Sequence, residues 1–101
     1  MTPEEQLDRV DQLLAGLDGP LGDYRSPSWE PAEGINVAST TLWVALGEGE
    51  LEGATATTER LVTEVYNRFD DLYEVSLAAE RPEIFADLRK AALHLRQDLA
   101  G

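Results

Sequence analysis

Three stretches of this chain space their apolar residues three and four apart, a period that fits a helix with one buried stripe and fits no other regular structure. The first opens on Thr2-Pro3-Glu4-Glu5, which supplies a capping hydroxyl, a proline at the first helical position and a glutamate at the capping-box position. It predicts a helix from Pro3 to Leu17 with Leu7, Val10, Leu13, Leu14 and Leu17 on one side and Asp8, Arg9, Asp11 and Gln12 on the other. Asp18-Gly19-Pro20 ends it. In the second stretch, Thr55 to Thr58 offer caps and Leu61, Val62, Val65, Tyr66 and Phe69 form the stripe, so a helix to about Phe69 is expected. Arg81-Pro82-Glu83 opens the third, expected to reach Leu99 along Ile84, Phe85, Leu88, Ala91, Ala92, Leu95 and Leu99.

The intervening segments lack that period. Pro20 to Gly34 holds prolines, glycines, Ser26, Ser28, Tyr24 and Trp29, and is expected to be an irregular loop or a short edge strand around Tyr24, with Trp29 as an anchor or a contact. Asn36 to Leu46 is rich in β-branched residues, apolar on both faces in its second half, and ends at Gly47, which predicts a strand. Gly47-Glu48-Gly49-Glu50-Leu51-Glu52-Gly53 is a turn cluster. Asp70-Asp71 would oppose a helix dipole at a C-terminus, and Tyr73-Glu74-Val75-Ser76-Leu77 alternates as a half-buried strand does. The expected fold is therefore α+β: a single domain over residues 1–101, with helices packed on a two- or three-stranded sheet in the order helix, loop, strand, helix, strand, helix. If residues 72–77 are helical, the alternative is a mostly α-helical bundle.

Charge narrows the function. With 20 acidic against 8 basic residues the formal net charge is −12, which disfavours bare nucleic acid and anionic membranes, since neutralising phosphates takes a basic face. The absence of cysteine excludes disulfides and thiol chemistry. Met1 to Glu5 is acidic where a secretory signal is basic, and Leu42 to Leu46 is too short to span a membrane, so a cytoplasmic protein is expected. Arginine far outnumbers lysine, as in proteins of GC-rich bacterial genomes.

Catalytic and metal signals are thin. Glu48, Glu50, Glu52, Gly53 and Glu59 fall at positions 1, 3, 5, 6 and 12 of a calcium-loop pattern, but that loop takes short Asp or Asn ligands first and an apolar residue where Thr55 stands. An acidic turn before a helix N-terminus explains the same residues. His94 is the only imidazole, on the flank of the last stripe with no sequence-near partner. No Gly-x-Ser-x-Gly elbow or phosphate loop occurs, and Asp70, Asp71 and Glu74 read as solvated charge. No enzymatic activity, cofactor or metal is expected.

Acidity does favour association with a basic protein, because opposite potentials speed encounter and reject wrong partners. The expected role is a small binding module, such as an inhibitor, antitoxin or immunity protein covering a basic surface. Its contacts are expected at Asp23, Trp29 and Glu30 in the loop and Glu48, Glu50 and Glu52 in the turn. The blander reading of the same charge is solubility. Two alternatives are a homo-oligomer, such as a dimer pairing through a sheet edge or Leu93, and a ligand carrier with a pocket lined by Trp43, Tyr66, Tyr73 and Phe85.

Overall fold

The computed structural model describes residues 1–18, 33–74 and 78–101. They form α1 (Pro3–Asp18), α2 (Glu33–Gly47), α3 (Ala56–Glu74) and α4 (Arg81–Ala100), the last preceded by a short 3₁₀ turn at Ala78–Glu80. Among the described residues there is no strand, so the expected α+β sandwich is replaced by the helical bundle held as its alternative.

The four helices form a ring in which each packs against its two neighbours, α1 on α2 and α4, α3 on α2 and α4, while neither diagonal pair meets among the described residues. Side-chain partners fix the directions. Gly16 near the end of α1 lies against Ile35 at the start of α2. Asn36 donates to the Tyr73 hydroxyl at 3.4 Å, Thr58 reaches Asp98, and Arg96 and Arg89 pair with Asp11 and Asp18. Every neighbouring pair is therefore antiparallel, in an up-down-up-down bundle. The molecule measures 40 × 21 × 19 Å.

Each helix feeds one stripe into a common core. Val10, Leu13 and Leu17 enter from α1, Ile35, Ala38, Leu42 and Ala45 from α2, Leu61, Val62, Val65, Phe69 and Leu72 from α3, and Phe85, Leu88, Ala91, Ala92 and Leu95 from α4. The stripes of α1, α3 and α4 follow the predicted spacing, except that Leu7, Leu14, Tyr66, Ile84 and Leu99 are only partly buried and Leu72 joins the core as well.

The segment expected as strand Asn36 to Leu46 is α2. Its buried residues recur at 35, 38, 39, 42 and 45, a helical period that its β-branched content obscures. Intrinsic preference differs by only a few tenths of a kcal/mol per residue here, roughly, whereas burying Ile35 or Leu42 contributes about 1.5–3 kcal/mol each. Tertiary burial therefore decides. Ser39, fully buried, gives its hydroxyl to the Ile35 carbonyl at 2.7 Å, so the core holds no orphaned hydroxyl there.

The second expected strand fails in its described half, because α3 continues to Glu74. Asp70 and Asp71 lie inside the helix, Asp71 takes a 2.8 Å contact from Arg68, and Leu72 is buried in the last turn. Residues 75–77 of that expectation lie outside the described residues.

Candidate docking surface

The turn between α2 and α3 is built to hold its glutamates outward. Gly49 has φ 71°, the left-handed conformation that favours glycine. Its N–H donates to the Leu46 carbonyl at 3.2 Å and that of Glu50 donates to the Ala45 carbonyl at 2.8 Å, the paired closure that ends a helix at a left-handed residue. Leu51 then turns into the core. The backbone is held from α1 as well: the Met1 ammonium donates to the Glu50 carbonyl at 3.0 Å, and the buried Gln6 side chain donates to the Glu52 carbonyl at 3.3 Å. Glu48, Glu50 and Glu52 are exposed on this pinned turn.

The next helix begins from a closed cap. Thr58 N–H donates to Thr55 Oγ1 at 3.2 Å while Thr55 N–H donates to Thr58 Oγ1 at 3.1 Å, a reciprocal arrangement with a second threonine in place of the usual glutamate. The Thr58 hydroxyl donates onward to Asp98 Oδ2 at 2.6 Å. Glu4 and Glu5 start α1 at this same end of the bundle and Glu59 starts α3, so the end is dense in carboxylate.

Beside the turn is an apolar notch of 250 Å³ lined by Trp43, Val44, Leu46, Gly47 and Glu48. Trp43 is half-buried and stacks on Tyr66 with ring centroids 4.6 Å apart and planes 12° from parallel. Phe69 and Tyr73 continue that ladder edge to face, their centroids 5.2 Å apart. Trp43, Tyr66 and Tyr73 thus form an interhelical ladder with Phe69, and Phe85 belongs to the core. Of the four residues expected to line a ligand pocket, Trp43 borders this notch.

The notch is one end of a longer surface. No charged residue occurs from Gly34 to Gly47, so the outward side of α2, with Val37, Thr40 and Val44, carries none. Val37 is 39% exposed and Val44 48%. Most of the described cations lie elsewhere: α4 carries Arg81, Arg89, Lys90 and Arg96 on the helix diagonal to α2, and Arg60 and Arg68 line a groove with Glu64, Asp87, Lys90 and His94 between α3 and α4.

Of the residues expected at a contact, Glu48, Glu50 and Glu52 are brought together here, whereas Asp23, Trp29 and Glu30 lie outside the described residues. Sequence reasoning placed Trp43 only in a ligand pocket and missed Val44 and Leu46. The signal for them was the charge-free run from Gly34 to Gly47 in a chain so rich in acids. Leu93 is exposed on α4, and His94 is an exposed member of the α3–α4 groove. Among the described residues no cluster of His, Asp or Glu is placed to hold a metal ion, and no helix is long and apolar enough to cross a membrane. No protein-family model, curated protein or solved structure matches this chain.

Proposed function

We propose that this chain is a small acidic protein-binding module that acts in the bacterial cytoplasm by covering a basic surface of another protein, as an inhibitor, antitoxin or immunity protein does. One observation carries the reading: three exposed glutamates stand on a conformationally pinned turn, and the first of them, Glu48, lines an apolar notch together with Trp43. Charge alone would serve solubility, but a charged turn beside an aromatic-lined notch is the anatomy of a contact with an anchor and a polar rim. Pinning also lowers the conformational cost of binding, since the turn is already held by Met1, Gln6 and Leu51. On a nuclease-like target the carboxylates would occupy the places of nucleic-acid phosphates. Affinity capture from the native host at low salt is expected to recover one basic protein, which about 0.5 M salt releases through screening and which the Glu48→Gln, Glu50→Gln, Glu52→Gln variant fails to capture. Recovery of no basic partner, or retention unaffected by salt and by the triple variant, overturns the reading.

A further inference from the structure

We infer that the partner element this module receives is an amphipathic helix bearing Lys or Arg along its flanks, laid lengthwise on the outward face of α2 with its apolar side on Val37 and Val44. The inference rests on the acidic-module reading and adds the shape of the ligand and its footprint.

A helix on the outside of a bundle ordinarily turns charge to water. Those of α1, α3 and α4 do: Glu4, Asp8, Glu59, Asp70, Glu83 and Lys90 are exposed on them. Only α2 presents Val37, Thr40 and Val44 instead. Val37 and Val44 are two helical turns apart, about 10 Å, and the notch at Trp43 and Leu46 adjoins the second of them. That spacing accepts apolar residues repeating every three or four positions along a helix.

Carboxylates border the face on every side. Glu33 stands at its start and Glu48 at its end. On α1, Gln12 and Gly16 face α2, and Glu5 and Asp8 continue that edge by helical spacing. On α3, Asp70 lies between Tyr66 and Tyr73, which meet Trp43 and Asn36 of α2. Among the described residues the one cation on these edges, Arg9, donates to the Gln12 side chain at 3.2 Å. An apolar strip inside an acidic border is complementary to an apolar strip between cations.

A second copy fits poorly. Two α2 faces brought together would oppose the same acidic borders. The α4 face of another copy offers Leu93, but Arg89 and Arg96 are engaged with Asp18 and Asp11 of α1, and Glu83 and Asp87 are also exposed on that helix.

The test uses the full chain, ¹⁵N-labelled, and two synthetic peptides of identical Leu and Lys composition, each of about 14 residues, or about 21 Å as helix. One repeats Leu-Lys-Lys-Leu-Leu-Lys-Leu; the other has its leucines scattered so that no helical face forms. The helical peptide is expected to shift the amides of Val37, Thr40, Thr41 and Val44 and to bind roughly tenfold more tightly than the scattered one, the scale of one buried side chain. Val37→Gln with Val44→Gln is expected to abolish that preference, while Glu48→Gln, Glu50→Gln, Glu52→Gln weakens both peptides. If both peptides bind equally and only the glutamate variant matters, the α2 face is not the site and the acidic reading survives. If neither binds, or shifts scatter over α1 and α3 regardless of variant, both readings fall. Concentration-dependent shifts on α2 without peptide, lost in the Val→Gln variant, identify a second copy as the occupant and overturn the inference.

Discussion

Thr58 shows how one side chain joins two elements in this bundle. It closes the α3 cap with Thr55 and reaches Asp98 in the last turn of α4 at 2.6 Å, while itself 2% exposed. Asp98 opposes the dipole of its own helix but stands at the N-terminus of α3, where negative charge is favourable. Thr58→Val keeps the shape and removes both the hydroxyl acceptor and the charge-assisted donor, so a loss of about 1–3 kcal/mol in urea unfolding is expected. A variant as stable as the parent would mean that the cap contributes nothing. Gly16 poses a contest of opposite effects. Alanine in a helix interior gains about 1 kcal/mol over glycine, but a Cβ here would lie 2.8 Å from Ile35 Cγ1, so the buried Ile35 side chain, 1% exposed, would have to shift. Overpacking a well-filled core costs typically 1–3 kcal/mol, roughly, so Gly16→Ala is expected to lower the thermal midpoint, and a raised midpoint would show that Ile35 repacks freely.

At the scale of the element, α2 separates what the fold needs from what the outward face carries. If Val37 and Val44 served stability, replacing them would weaken the bundle. Both are exposed and β-branched, so Val37→Gln with Val44→Gln is expected to leave unfolding free energy unchanged or raised by a few tenths of a kcal/mol, roughly. A loss above about 1 kcal/mol would return these valines to the core. The same face explains which part of the fold was legible. Helices α1, α3 and α4 announce themselves because polar residues opposite the stripe make the period visible, as Asp8 and Asp11 do against Leu7 and Val10. In α2 the outward positions are also uncharged, the contrast vanishes, and valine and threonine then suggest a strand. Asp70-Asp71 suggest a break for another reason: they would oppose the dipole only of a helix that ended there, and α3 runs on to Glu74 with Asp71 paired to Arg68. The acidic turn was readable from Gly and Glu alone. The notch beside it was not, since Trp43 and Leu46 reach it only through helical geometry.

Across the whole molecule, salt acts on folding and binding with opposite signs. The net charge of −12 is carried on a body with a radius of gyration of 13.3 Å. Two like charges about 15 Å apart in water repel by about 0.3 kcal/mol, and a dozen uncompensated charges form many such pairs. Four ion pairs oppose this among the described residues, Arg60–Glu64, Arg68–Asp71, Arg89–Asp18 and Arg96–Asp11, all substantially exposed. Exposed pairs contribute about 0–1 kcal/mol each, so repulsion outweighs attraction and the folded state carries the larger density of like charge. Raising salt from about 0.01 M to 0.15 M shortens the screening length from about 30 Å to about 8 Å, which removes more repulsion than attraction. The thermal midpoint is therefore expected to rise over that range. Affinity for a cationic partner is expected to fall over the same range, because the attraction that steers it is screened by the same ions. Differential scanning calorimetry and titration of the Leu/Lys helical peptide in matched buffers read the two effects. A midpoint that falls with salt would mean that the cross-helix pairs of α1 and α4 govern stability. Peptide affinity that holds constant would mean that the carboxylate border takes no part in recognition.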